Sequence, residues 1–449
     1  MKLALPIPAG PMAKYMKLNP PKRGSKITVA KNGQLQVPDD PIVPYIQGDG
    51  IGAETWKAVQ RVFEHSVEQC YGNAKRLEWL EVHAGERGNQ LYGPNSWLPE
   101  DTIRAIQEYK VCIKGPLTTP VGAPKTLDAV LRERLDLFAR VQPVRHIEGV
   151  PSPLVAPHGM DLMIFREHTE DLYSEIEWKK GSPEAKQVIN FINNEMGKRA
   201  ENAIRPDSSV GIKPISATAT KRVIRLALEY AIKHKRRSCT FVHKGNVMRL
   251  TEGFFRDWGY ELAKKEFGDY IVTEHEIHED HKGEIPRGRV LVRDRLADQV
   301  FQEMLIRPDE YDVIATTNLN GDYLGAVALA MVGDPTVAPT AYVGAKAALF
   351  QAAHATGRND AGEDTNPSSV LLAGVMLFEH LGWKDSAELV AQALIKTIGM
   401  GTVTYDLARR VEGAKLLKVS EFCDHIIENF DEVRKSRVRQ AMERAAMRI

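Results

Sequence analysis

The stretch Tyr311–Tyr323, YDVIATTNLNGDY, places an acid where an acid can do chemistry. A β-rich run ends near Thr317, and the polar turn Asn318-Leu319-Asn320-Gly321 delivers Asp322 to the carboxyl edge of a sheet, where open α/β sheets bind ligands. A carboxylate there can hold a hard divalent cation. Asp298, opening a helix over Gln299–Ile306 after a strand at Val290–Arg293, is the natural second oxygen ligand. On residue type alone, each aspartate is more often a helix cap than a metal ligand.

The elements that must carry these acids are legible in the alternation of the chain. Ile42–Ile46, Val111–Ile113, Leu162–Phe165, Cys239–His243, Val290–Arg293 and Tyr311–Thr317 predict strands of a largely parallel sheet, interleaved with amphipathic stretches. That alternation predicts an α/β fold. Ser182-Pro183-Glu184 opens one helix with a cap and a first-turn proline; Asp385, with Glu388 three residues on, opens another that closes near Gly399. Glu274–Arg289 is charged and ends in Gly/Pro-rich sequence, which predicts a surface loop; its His275, His278 and His281 are read as solvated rather than as metal ligands. Ile46-Gln47-Gly48-Asp49-Gly50-Ile51-Gly52 lies between a strand and a helix, but its alternating glycines do not make the G-x-G-x-x-G of a dinucleotide fingerprint.

Bulk properties exclude several classes of partner. Lys+Arg 60 against Asp+Glu 59 leaves a formal charge of +1, so no global field points to nucleic acid or an anionic membrane. Apolar runs such as Val370–Phe378 fall far short of the ~20 residues that cross a bilayer. Cys70, Cys112, Cys239 and Cys423 are scattered without a CxxC pair, as in a reducing compartment. Met1–Met16 mixes prolines with lysines and reads as a cytosolic arm, so a cytoplasmic location is expected.

The stretches GDGIG (48–52), KGPLTTPVG (114–122), FREHTEDLYSEIEW (165–178), GIKPIS (211–216), VHKGNVMRLTEGFFRDWGY (242–260), RPDEYDVIATTNLNGDY (307–323) and TVTYDLARR (402–410) together resemble the bacterial-type isocitrate dehydrogenases, within the wider β-decarboxylating dehydrogenases. The resemblance runs in order from about Val43 to Phe430. It implies an isocitrate/isopropylmalate dehydrogenase-like α/β fold rather than a Rossmann fold. A large domain would be formed by 1–137 and 332–449, a small domain by 138–170 and 218–331, and a clasp locking two subunits by 171–217. It implies carboxylate-binding arginines at Arg132 and Arg166, whose forked guanidinium groups suit bidentate recognition. Tyr173 matches the catalytic tyrosine and Lys244 a lysine reaching in from the second subunit; together they manage the protons. Asp322 and, from the other subunit, Asp298 match the ligands of Mg²⁺ or Mn²⁺. Asn246 matches a nicotinamide-side amide, and Thr118 is expected to bind the cofactor.

The sequence departs from that pattern where substrate and cofactor are recognised. A phosphorylatable serine of the family becomes Thr126 and its neighbouring asparagine Asp128, in a loop shortened by one residue; the arginine of the DLY-x-x-x-RPVR block is Gln142. On this count the pocket is about two charge units less cationic, which predicts a poor fit for a trianion. A second aspartate one turn after Asp322 is Ala326. In the nucleotide loop, Asn359 and Asp360 replace the lysine and tyrosine that grip a 2′-phosphate, while Tyr405, Arg409 and Arg307 are retained and His354 and Asn366 match adenine contacts. NADP and NAD are both compatible, with a slight lean to NADP.

The expectation is therefore a homodimeric, metal-dependent oxidoreductase that oxidatively decarboxylates isocitrate or a related, less anionic 2-hydroxy acid. The alternatives are the same chemistry on a specialised-pathway acid, or a catalytically silent paralogue acting as a regulatory partner.

Overall fold

The computed structural model describes residues 14–30, 33–196, 203–353 and 366–436. In chain order, β1 (Thr28–Val29) and β2 (Leu35–Gln36) form a small antiparallel ladder. Then come β3 (Ile42–Ile46), β4 (Glu78–Glu81), β5 (Val111–Lys114), β6 (Ala139–Arg145) and β7 (Asp161–Glu167). The short pair β8 (Glu177–Trp178) and β9 (Val210–Gly211) is antiparallel. Next are β10 (Ser238–His243), β11 (Ile271–Thr273), β12 (Val290–Leu296), β13 (Val313–Thr316), β14 (Pro339–Val343) and β15 (Ala348–Ala352), and finally the parallel pair β16 (Thr402–Val403) and β17 (Lys415–Leu416).

One 11-stranded sheet runs in the order β11-β12-β10-β13-β7-β6-β14-β15-β5-β3-β4. Both ends are parallel, and the expected strands all lie in it. At the centre, β6 pairs antiparallel with both β7 and β14, and β14 with β15. The strands read as near-continuous apolar runs because helices cover both faces; Val313, Ile314 and Ala315 of β13 are wholly buried. Trp56, Phe63, Phe378 and Trp383 anchor the core at one end, and Phe241, Phe255 and Leu262 at the other.

Local side-chain caps account for some of the helix starts. Ser182 accepts from the Ala185 N–H (3.1 Å) and caps the helix Pro183–Asn190. Asp385 does not cap its helix: the N-cap is Trp383, and Asp385 lies in the first turn of Lys384–Gly399, where a carboxylate favours the positive end of the helix dipole. The charged stretch read as a loop begins with a helix, Glu274–Asp280, opened by a capping box between Thr273 and Glu276. His275 there pairs with Glu279, and no group of metal-binding side chains forms among the described residues. No helix among them is long and apolar enough to cross a membrane.

Candidate active site

Two strands and one helix build the central group of polar side chains. Arg166 projects from β7, and Asp322 from the second turn of the helix Asn318–Met331 that follows β13. The tetrapeptide read as a turn, Asn318–Gly321, is thus the first turn of that helix. Its exposed donors are satisfied from outside: the buried carboxylate of Asp171 accepts from the Leu319 N–H at 2.9 Å. Neither candidate metal acid is a cap, since the N-caps are Thr317 and Leu296. Gly321 brings the helix against Arg166; a Cβ there would lie 2.7 Å from Arg166 Cγ and 2.8 Å from Thr316 Cγ2.

Arg166 is buried; its Nε donates to Asn318 Oδ1 at 2.9 Å and its Nη1 pairs with Asp322. Tyr173 donates its hydroxyl to the other Asp322 oxygen, and the Arg166 guanidinium lies 4.9 Å from the Tyr173 ring centre. Burial pushes the Asp322 carboxyl up, but Arg166, Tyr173 and Arg140 outweigh it and leave it below the usual carboxylate range. Burial and the neighbouring Asp322 push the Tyr173 phenol up, so it stands protonated at neutral pH. Arg132 stacks on Tyr342, 4.9 Å from the ring centre.

Lys244 and Asp298 lie apart from this group and pair with each other at 2.5 Å. The exposed Asp298 carboxyl is held below the ordinary range by the Lys244 ammonium. Asn246 is exposed on the same loop. Among the described residues, no hydrogen bond or ion pair joins Lys244 or Asp298 directly to Tyr173, Asp322 or Arg166. The candidate site residues therefore fall in two separate groups within one chain.

A network missed by sequence reasoning lies between the two sets. The Lys213 ammonium bridges two wholly buried carboxylates, Asp171 at 2.5 Å and Glu252 at 2.7 Å. Asp171 adopts a left-handed backbone (φ 72°), costly for a residue with a Cβ and held here by these bonds. These residues lay inside the quoted DLYSEIEW, GIKPIS and MRLTEG stretches, but no local pattern reveals that distant segments share one buried triad.

Residues 42–426 match the family model described as isocitrate/isopropylmalate dehydrogenase. The chain belongs to that family. It is 47% identical over 417 residues to an isocitrate dehydrogenase (NADP) of Archaeoglobus fulgidus, covering 92% of this chain and 98% of the relative. It is 47% identical over 423 residues to one of Haloferax volcanii, covering 93% and 99%. A crystal structure of isocitrate dehydrogenase from Methylococcus capsulatus superposes with a TM-score of 0.67 at 28% identity, covering 87% of this chain and 99% of that one.

Within this family fold, the residues behind the expected change in pocket charge have specific partners. Asp128 is neutralised by buried Lys114, whose Nζ lies 2.9 Å from its carboxylate. Gln142 points into packing, its Nε2 donating to the Gly325 carbonyl at 3.3 Å. A cation absent from the expectation, Arg140, stands on the same strand with its Nη1 3.8 Å from Asp322. Asp128 is thus held in an ion pair within the chain, and Arg140 adds a cation to the strand on which Gln142 is neutral. Thr126 caps the helix Leu127–Arg134, accepting from the Ala129 N–H at 3.1 Å. Ala326 is exposed and offers no carboxylate.

The residues expected to hold the nucleotide divide into groups. Asp49, in the GDGIG loop, accepts from the Thr118 N–H at 2.7 Å and the Glu86 N–H at 2.9 Å, tying that loop to the KGPLTTP segment. Gln47, Ile51 and Gly52 of the loop share a cleft with Gly115, Pro116 and Asn366. Asn366 donates to Asp406 at 3.0 Å, which anchors it beside the helix Tyr405–Ala408; the adjacent Arg409 stacks on Tyr405 at 4.8 Å. Arg307 instead pairs with Glu303 and Glu310. His354, Asn359 and Asp360 lie outside the described residues.

Proposed function

We propose that this chain catalyses the NADP-dependent oxidative decarboxylation of isocitrate at a site completed by a second copy of itself. The observation that carries the reading is the row of Arg166 and Arg140 at Asp322 with Arg132 stacked on Tyr342 at its other end, an excess of positive charge suited to a small polycarboxylate. The relatives named above are isocitrate dehydrogenases (NADP), and identity of 47% over nine-tenths of the chain favours this substrate over a specialised acid or a silent subunit.

Asp322 and Asp298 are hard oxygen donors of the kind that holds Mg²⁺ or Mn²⁺, and they would bind it from opposite subunits with water filling the remaining positions. When bound, the cation would supply Lewis-acid polarisation of the substrate oxygen. Arg132 and Arg166 bind and orient the substrate carboxylates. Tyr173, protonated in the free enzyme, is placed to deliver a proton to carbon after CO₂ leaves. Lys244 of the other subunit receives the hydroxyl proton. The nucleotide lies along the GDGIG loop, with Thr118 and Asn246 at the nicotinamide and Asn366, His354, Tyr405, Arg409 and Arg307 toward the adenosine and its phosphate. Asn359 and Asp360 weaken the grip on that phosphate without abolishing the preference for NADP.

The division of the chain into large domain, small domain and clasp accompanies this reading, with the domain boundary falling between β6 and β14. Exposed Val247, Leu250 and Phe254 beside Lys244, and Leu172, Ile176 and Ile212 around β8 and β9, supply apolar surface for a homodimer. Four free cysteines, three of them buried, accord with a reducing cytoplasm. Steady-state assays with isocitrate, Mg²⁺ and each nucleotide test the reading: CO₂ release coupled to NADPH formation is expected. Absence of turnover with isocitrate under both nucleotides refutes it.

A further inference from the structure

Arg140 has no counterpart among the residues carried over from the family pattern, yet its position in the sheet is specific. In the register of β6 it lies directly opposite Arg166 on β7 and opposite Tyr342 on β14. Residues directly opposite one another share a face, so Arg166, Arg140 and Tyr342 form one row across three strands, with Arg132 stacked on Tyr342 at its end. The row ends at Tyr173 and Asp322, the reacting end of the proposed site.

Two guanidinium groups opposed on neighbouring strands repel each other, and among the described residues the contacts of Arg140 do little to offset this. Its Nε donates to Thr340 Oγ1 and its Nη2 to the Ala353 carbonyl, both at 3.4 Å, and its ion pair with Asp322 is long at 3.8 Å. Asp322 is meanwhile engaged closely by Arg166 and Tyr173. The row thus sets two arginines against one carboxylate, with a third arginine adjacent. Gln142, two residues along the same face, is neutral and spent on the Gly325 carbonyl.

We propose that Arg140 is a substrate-carboxylate-binding residue of this enzyme, supplying from one alternation earlier on β6 the cation that position 142 lacks. The inference rests on the isocitrate reading above and adds a specificity residue to it. A polycarboxylate entering the row relieves the Arg140–Arg166 repulsion, so this side chain contributes more to the bound state than to the free one.

The test uses the full-length protein with Mg²⁺ and NADP. Wild-type turnover of isocitrate is measured first; its absence would sink the functional reading irrespective of Arg140. Given turnover, Arg140→Gln is expected to raise the KM for isocitrate by about 10- to 100-fold while leaving the KM for NADP within about threefold. Ligand-free Tm should hold or rise, because a like-charge repulsion is removed, whereas the increase in Tm on adding isocitrate should shrink. Arg140→Lys, which keeps the charge but not the fork, should show the same selective change at smaller size. An unchanged isocitrate KM in Arg140→Gln overturns the proposal. So does a parallel rise in both KM values with a fall in ligand-free Tm, which would mark Arg140 as a structural ion-pair partner of Asp322.

Discussion

The carboxylate of Glu252, with no solvent exposure, accepts the backbone N–H of Lys244 at 2.5 Å. The same carboxylate accepts from Lys213 and, at 2.7 Å, from the Asn320 side chain in the first turn of the Asp322 helix. One buried acid therefore fixes the loop of the lysine proposed to accept the hydroxyl proton and the helix of the aspartate proposed to bind metal.

Glu252→Ala should cost on the order of 3–5 kcal/mol of stability, because Lys213 is left beside a cavity with half its compensation gone. Chemical denaturation measures this. Glu252→Gln keeps the volume and should lose less stability, but still lower kcat, since an amide cannot accept at both oxygens; equal stability and kcat to wild type would count against the role.

The separation of Lys244 and Asp298 from Tyr173 and Asp322 predicts complementation between subunits. Lys244→Ala and Tyr173→Phe proteins should each be nearly inactive. After subunit exchange, mixed dimers carry one intact site, so activity should return toward a quarter of wild type, because half the dimers are mixed and each has one of two sites. Exchange verified by mass spectrometry with no recovery would place each site within one chain.

Gly321→Ala forces a methyl group into the Cβ and Cγ of Arg166. Overpacking of this kind costs about 1–3 kcal/mol, and the displaced guanidinium should raise the KM for isocitrate at least tenfold. Gly325→Ala is the control: its Cβ meets the flexible end of Gln142 at 3.1 Å and should be tolerated better.

Stability should fall in mild acid. Burial, helped by Lys233, pushes the His380 imidazole down to about 4 from 6.5, where it packs against Phe350. The unfolded chain then binds this proton first, so the contribution is full above pH 6.5 and is lost as pH falls toward 4, at up to about 1.4 kcal/mol per unit. Replacing His380 by Gln should flatten the decline of Tm across that window; an unchanged slope assigns the acid sensitivity to other groups such as His168.

Legibility in the sequence followed the range of the interactions involved. Strands β3, β10 and β13 were readable because burial on both faces leaves unbroken apolar runs, and Ser182 because its cap bond is local. Thr273 and Glu276 carried a readable capping box, obscured by the surrounding charge. Arg166, Tyr173 and Asp322 came from the family pattern, and the fold brings them together. Arg140 lies on the same strand as Gln142, and the twofold alternation of that strand makes positions 140 and 142 equivalent in facing. The pairing of Lys114 with Asp128 and the Asp171–Lys213–Glu252 triad depend on tertiary approach, which no window of sequence contains.

The central strand pairing has a mechanical meaning. β6 and β14 are joined through only Ala139, Arg140 and Val141 opposite Val343, Tyr342 and Ala341, and this seam holds the two ends of the 11-stranded sheet together. A cleft hung on loops swings freely, whereas one crossed by a hydrogen-bonded seam can change its angle only by twisting that seam, with a restoring force. Arg132 and Tyr342 stand on one side of the line, Arg140 and Arg166 on the other. A carboxylate-bearing molecule gripped from both sides is a strut across a spring, so the enzyme's grip on its ligand and the curvature of its sheet are one elastic variable.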